Sequence, residues 1–251
     1  MSIKISIRDS VALLTLDDDA RLNALSDDLM ERIHVELSRV EERASVLVIT
    51  GGPKAFAAGV DVSEIASRSH EEAYLGNFID HRWESVFNVK IPVIAAISGY
   101  ALGGGFELAL MCDIIIASRS AVFGFPEVNL GILPGIVGTQ LITRIVGPQI
   151  AAEIMMTGDH LSAERALELK IVSRVVEDHE LLEKALELAA KIAGKSVLST
   201  RMIKEAIRLS QNVGLLQGIK MERLMFRSMF STDSKKTGLE KFFQRKNRPK
   251  T

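Results

Sequence analysis

Polar and apolar positions assign the first elements one after another. Ile3, Ile5 and Ile7 alternate with polar residues, and residues 11–16 are mostly apolar. Two strands, 3–7 and 11–16, joined by a tight turn at Arg8-Asp9-Ser10, are therefore expected. A helix follows. Ser26 stands as its N-cap, Asp27 and Asp28 fall in its first turn, and Leu29, Ile33, Leu37 and Val40 recur on one face. Val46–Thr50 reads as a buried strand that ends in Gly51-Gly52-Pro53, and residues 71–89 as one helix. The apolar run 91–112 is long enough to span a bilayer, and Gly99-x-x-x-Gly103 matches a membrane-helix packing motif. Pro92, three consecutive glycines and a mid-run glutamate would make a poor spanning helix, however. The run splits more naturally into a strand (92–97), a loop (98–103) and a buried helix (104–112). Short strands follow at 114–117 and near 121–124. This alternation predicts an α/β architecture with βαβ-like crossovers.

From about Ser162 glycines thin out and helical periodicity dominates through Phe243, with breaks near Asp178, Gly194 and Gln211-Asn212. One core region, residues 1–195, and a helical C-terminal region, 196–251, are expected. Within 196–230 the apolar residues (Val197, Leu198, Ile203, Ile207, Leu215, Leu224 and Phe226 among them) are too many for one stripe on a monomer's surface. That excess predicts an oligomer.

Composition narrows the choices. A chain of 251 residues can bury a sizeable core, and a formal net charge of −1 gives no electrostatic argument for nucleic acid or an acidic membrane. The lone Cys112 can form no intrachain disulfide, and MSIKISIRDS lacks the apolar stretch of a signal peptide, so a cytoplasmic protein is expected. The closing KFFQRKNRPK is basic; a solvated tail and a contact with an anionic ligand or neighbouring subunit are both open readings.

Chemistry concentrates at two carboxylates. Glu107 is the one ionisable carboxylate in the run 91–112, two residues after Gly103-Gly104-Gly105. An isolated carboxylate in apolar surroundings is costly to desolvate and tends to have a partner, a raised pKa or a task. The glycines let the backbone approach a ligand and leave N–H groups unused at a helix start. As a first-turn residue, Glu107 is expected to be favoured as a carboxylate by its own helix dipole. Glu127 sits in FGFPEVNLGILPG, again among apolar and turn-forming residues, and is the more readily protonated candidate. Two such groups suit paired general acid/base work; the alternative for Glu127 is that it caps the following turn. The turn Ala57-Ala58-Gly59-Val60-Asp61 offers further N–H groups to an oxyanion. G-x-S-x-G, H-E-x-x-H, C-x-x-C and GK[ST] patterns are absent, and the 5 histidines are scattered, so no metal is expected.

GYALGGGFELALMCDI, KAFAAGVDVSEI, FGFPEVNLGILPGIVGTQ and the closing G-x-x-x-F-F-Q-R-K resemble the crotonase superfamily, specifically its enoyl-CoA hydratase branch. The resemblance runs from Arg21-Leu22-Asn23-Ala24-Leu25 to Arg248. It implies a spiral of ββα units with a helical C-terminal trimerisation region, commonly a hexamer built as a dimer of trimers. It also implies an acyl-CoA thioester substrate, no separate cofactor, and neither nucleic acid nor membrane as partner. By the same resemblance Val60 and Gly104 donate the oxyanion-hole N–H groups, while Glu107 and Glu127 hold water and transfer protons. Substrate-binding positions would be Leu22, Ala24, Ala58, Asp61, Val62, Ser63 and Gly135, with Phe242 and Arg245 reaching toward the CoA.

Several positions depart from that pattern: Asp17-Asp18-Asp19 near the nucleotide entrance, Val60 where alanine is commonest, and Phe125 in place of a glutamine that supports the first glutamate. Ile136-Val137 stand where small residues are usual, and Lys170 where a glycine ends a helix, which implies a positive φ there. The leading expectation is hydration of trans-2-enoyl-CoA to 3-hydroxyacyl-CoA. The nearest rival is a double-bond isomerase, many of which keep only the glutamate at the position of Glu127. A thioester hydrolase and a non-catalytic CoA- or RNA-binding relative stand further off.

Overall fold

The two opening strands pair as an antiparallel hairpin, β1 (Ser2–Arg8) with β2 (Val11–Asp17), through a turn in which Asp9 and Ser10 take φ values of 49° and 64°. This computed structural model describes residues 2–246, and side chains for residues 3–244. It divides into two compact units, Met1–Gly194 and Lys195–Thr251.

In the first unit, α1 (Asp27–Arg43) begins at Ser26, whose hydroxyl accepts the Leu29 N–H at 3.2 Å, and it buries Leu29, Ile33, Leu37 and Val40 as its periodicity predicts. The chain then runs through β3 (Val46–Thr50), β4 (Ala55–Ala57), α2 (Val62–Ala66), α3 (His70–Leu75), α4 (Ser85–Asn88), β5 (Val93–Ile97), β6 (Tyr100–Leu102) and α5 (Gly104–Leu110). After these come β7 (Ile114–Ser118), β8 (Val122–Gly124), α6 (Gly138–Val146), α7 (Pro148–Thr157), β9 (Leu161–Ser162), α8 (Ala163–Glu168), β10 (Arg174–Val176) and α9 (Leu181–Ala193).

The strands make two sheets, one in the order β1-β2-β3-β5-β7-β10 and one in the order β4-β6-β8-β9. From β3 to β8 successive strands go alternately to the larger and the smaller sheet, and the pairings among β3, β5 and β7 and among β4, β6 and β8 are all parallel. The path is a spiral, each turn adding one strand to each sheet. Strands buried on both faces read as unbroken apolar runs, which is why β3 and β5 are buried at every position. Leu47 and Ile49 face the core shared with α1, whereas Val46 and Val48 pack with Leu181, Ala185 and Ala189 of α9.

Several expected elements are corrected. Residues 71–89 are two short helices, not one. α3 closes at Gly76, and Asn77 (φ 49°) and Ile79 (φ 62°) turn the chain before α4. The loop expected at 98–103 contains β6, and β4 precedes the turn at Ala57. The stretch after Ser162 is interrupted by β10. Strands of three residues are too short to carry a period, so only their pairing reveals them. Lys170 does take a positive φ, 64°, as the chain leaves α8.

The second unit comprises α10 (Val197–Asn212), α11 (Leu215–Ser228) and α12 (Asp233–Lys246). Leu215 and Leu216 are 79% and 77% exposed, and Ile203, Ile207 and Phe226 are exposed as well. Among the described residues no helix is long and apolar enough to cross a membrane.

Candidate active site

Residues 58–61 run beside residues 22–25. The Ala58 N–H donates to the Leu22 carbonyl (3.0 Å), Leu25 N–H to Gly59 (2.7 Å) and Asp61 N–H to Leu25 (2.8 Å). Asn23 pins this pairing from inside: its side chain is buried, accepts the Asp18 N–H at 2.7 Å and donates to the Ala55 carbonyl at 2.9 Å. In the bridge between Leu25 and Val60 the bonds are made by Gly59 and Asp61. The intervening Val60 N–H therefore has no acceptor among the described residues. Gly104 opens α5, so its N–H lies outside the helix's own hydrogen bonding. A Cβ on Gly104 would stand 3.4 Å from the Val60 nitrogen and 2.8 Å from Val60 Cγ2, so the two segments approach closely and a side chain at 104 would crowd the Val60 side chain.

Both glutamates meet this corner. Gly103 takes φ 51°, and a Cβ there would lie 2.9 Å from Glu127 Oε1, so the missing side chain lets that carboxyl settle against the loop. Glu127 rides on a one-turn helix, Pro126–Leu130, and its Oε2 is buried without a hydrogen-bond partner among the described residues. Glu107 Oε1 accepts three successive N–H groups at the start of α6, from Ile136 (2.9 Å), Val137 (2.8 Å) and Gly138 (2.6 Å). Glu107 does stand in the first turn of its own helix, and it draws its hydrogen-bond donors from the start of a different one. Burial pushes Glu107 above the ordinary carboxylate range, and the same three N–H groups pull against it. Burial, with the neighbouring Glu107 charge adding to it, raises Glu127 to about 7. Phe125, fully buried, packs tilted on Phe106 at 4.8 Å between ring centres and offers no hydrogen bond; the polar partners of Glu107 are the three backbone N–H groups.

A cavity of about 360 Å³ opens between these groups. Of the expected site residues, Glu107, Glu127, Val60, Gly104, Ala58, Val62 and Gly135 line it. Leu22, Ala24, Asp61 and Ser63 are not on its wall. Leu22 and Asp61 bond to the segments that form it, and Asp61 caps α2 by accepting the Ser63 hydroxyl (2.6 Å) and N–H (3.0 Å) and pairing with Arg21. The Ser63 bonds, then Arg21, hold its carboxyl below the usual range. Phe242 lies on α12 of the second unit with its ring 5.6 Å from that of Phe243, and the Arg245 side chain lies outside the described residues. Asp17 pairs with Lys4 at 2.5 Å and Asp18 accepts the Arg21 N–H at 3.3 Å, so two of the three entrance acids have local duties. The apolar walls missed from the sequence are Ile65, Phe78, Ile79, Leu130, Ile132 and Leu133. Only the positive φ at Ile79 marks any of them as special, and periodicity cannot reveal it. Among the described residues no cluster of His, Cys, Asp or Glu could hold a metal ion.

An α/β spiral whose apolar cavity holds two carboxyls with raised pKa and paired free N–H groups is suited to proton transfer beside a developing oxyanion. A family profile described as enoyl-CoA hydratase/isomerase matches residues 6–250, and the chain belongs to that family, the crotonase superfamily of acyl-CoA enzymes. It is 44% identical over 238 residues to the probable mitochondrial enoyl-CoA hydratase of Dictyostelium discoideum, covering 94% of this chain and 86% of that protein. To the 2,3-dehydroadipyl-CoA hydratase of Escherichia coli K12 it is 38% identical over 244 residues, 96% of this chain and 95% of that one. The crystal structure of enoyl-CoA hydratase subunit I from Geobacillus kaustophilus superposes with a TM-score of 0.95 at 40% identity, covering 100% of this chain and 98% of that one.

Proposed function

We propose that the protein is an enoyl-CoA hydratase, a hydro-lyase that adds water syn across the double bond of a trans-2-enoyl-CoA to give the 3-hydroxyacyl-CoA. The observation that carries this reading is the convergence of Glu107 and Glu127 on one apolar cavity beside the Val60 and Gly104 N–H groups. Water is a poor nucleophile, so it needs a base. In this reading a Glu107 carboxylate, held by three N–H donors, takes a proton from water as its oxygen bonds to C3. The π electrons move toward the thioester carbonyl, whose oxygen gains charge and is stabilised by the two backbone N–H groups. Glu127, with a pKa of about 7, is protonated in a large fraction of molecules near neutrality and delivers its proton to C2. The proton gained by Glu107 then returns to Glu127 through solvent, which closes the cycle.

Phe242 and Arg245 are assigned to CoA binding, and the exposed apolar residues of α10 and α11 to a trimer-based homo-oligomer. A reduced, buried Cys112 suits a cytoplasmic enzyme. Spectrophotometric assay of crotonyl-CoA tests the activity: loss of the enoyl absorbance with 3-hydroxybutyryl-CoA as product supports it. Unchanged substrate after long incubation at high enzyme concentration contradicts it for short chains.

A further inference from the structure

Part of the cavity wall comes from two segments that are not neighbours in sequence: Val62 and Ile65 on α2, and Phe78 and Ile79 in the turn after α3. Ile79 is β-branched and held at φ 62°, a conformation such residues rarely adopt, so the surrounding structure must hold this wall in place. Its Cδ1 would stand 3.5 Å from a Cβ on Gly135, across the cavity and next to the N–H cradle of Glu107.

Both segments are tied to one residue. Asp27, the first residue of α1, donates its N–H to Glu64 Oε2 on α2 at 3.2 Å. Its Oδ1 accepts the Trp83 indole N–H at 2.9 Å, and its Oδ2 pairs with Arg68 at 2.9 Å. The Arg68 guanidinium in turn lies 3.8 Å above the centre of the Phe78 ring, whose edge meets Trp83 at 6.2 Å between centroids. Asp27 and Arg68 are each about three-quarters buried, at 27% and 29% exposure, so their attraction is less screened than that of a surface pair. Neither residue lines the cavity.

We propose that Asp27 is a positioning residue for substrate choice: through Arg68 and Trp83 it holds the Phe78–Ile79 wall against the cavity and so restricts the acyl chain to short lengths. The proposal rests on the acyl-CoA reading of the site, although not on the hydration step. Asp27→Asn keeps an acceptor for Trp83 and removes the charge that holds Arg68. Arg68→Gln releases the same clamp from its other end and keeps a side chain of similar length over the Phe78 ring.

The test measures dissociation constants of butyryl-CoA and octanoyl-CoA, both unreactive saturated thioesters, by calorimetry on the full chain. Each variant should shift the affinity ratio toward octanoyl-CoA on the order of tenfold, the factor that 1.4 kcal/mol produces. The double variant should add little to either single one, because both break one linkage. A purely structural role would lower the melting temperature and leave the ratio alone. A ratio within twofold of wild type in folded variants would overturn the proposal. If wild type leaves crotonyl-CoA unchanged and the ratio still shifts, the hydratase reading fails and the positioning role stands.

Discussion

Replacing Glu127 by glutamine should change not only catalysis but the way stability depends on pH. A buried carboxyl whose pKa rises from 4.5 to about 7 on folding prefers its neutral form in the native state. Its contribution to stability is therefore fully present below pH 4.5 and is lost as pH rises through 7. At about 1.4 kcal/mol per pH unit, ionising Glu127 inside the fold destabilises the wild type by roughly 2–3 kcal/mol between pH 5 and pH 8. Glutamine has nearly the same shape and does not titrate in this range. Urea denaturation of both proteins at pH 5 and pH 8, at matched protein concentration, isolates the effect, because every other titrating group is common to the two. Glu107 is the exception, since its charge acts on Glu127. Removal of Glu127 should ease the ionisation of Glu107, which adds to the gain at high pH. The Glu127→Gln variant should thus gain on the wild type as pH rises. A stability difference that stayed constant to within about 0.5 kcal/mol from pH 5 to pH 8 would mean that Glu127 is solvated in the native state and has an ordinary pKa.

Three further outcomes follow from the same geometry. Glu107→Gln keeps a side-chain oxygen for the three N–H donors of residues 136–138 and should fold, yet it should lower kcat for crotonyl-CoA by about 10²–10⁴ while acyl-CoA affinity stays near wild type by calorimetry. Gly104→Ala places a methyl group 2.8 Å from Val60 Cγ2 and should cut activity by displacing the neighbouring N–H donor; adding Val60→Ala should restore much of it, as steady-state kinetics would reveal. Lys170→Gly relieves a side chain held at φ 64° and should stabilise the protein by about 1 kcal/mol; thermal melting reads this directly.

Much of this architecture is legible in residue order because its cause is local. The face of α1 follows from a 3.6-residue period and its start from Ser26, whose hydroxyl has one backbone N–H to accept. Glu107 and Glu127 stand out because a carboxylate in an apolar run needs a reason. The proposal of Val60 and Gly104 as oxyanion donors rests on resemblance to a family; composition alone singles out only glycine-rich turns. What remained hidden depends on contacts far apart in sequence. The cradle for Glu107 comes from residues 136–138, and Asp27 bonds to Trp83, 56 residues further along the chain. Residues 71–89 read as a helix since most of them suit one; the positive φ values at Asn77 and Ile79 break it, and no residue period signals them.

The central claim is that water itself is a reactant, and its oxygen can be followed. Crotonyl-CoA incubated with the enzyme in heavy-oxygen water should yield 3-hydroxybutyryl-CoA carrying the label at the C3 hydroxyl, as read by mass spectrometry. Glu107→Gln and Glu127→Gln should each slow that incorporation by about 10²–10⁴. Unlabelled crotonyl-CoA after prolonged incubation, or rearrangement of a 3-enoyl-CoA to its 2-enoyl isomer without gain of oxygen, would contradict the claim and assign the two carboxylates to isomerisation or to binding alone.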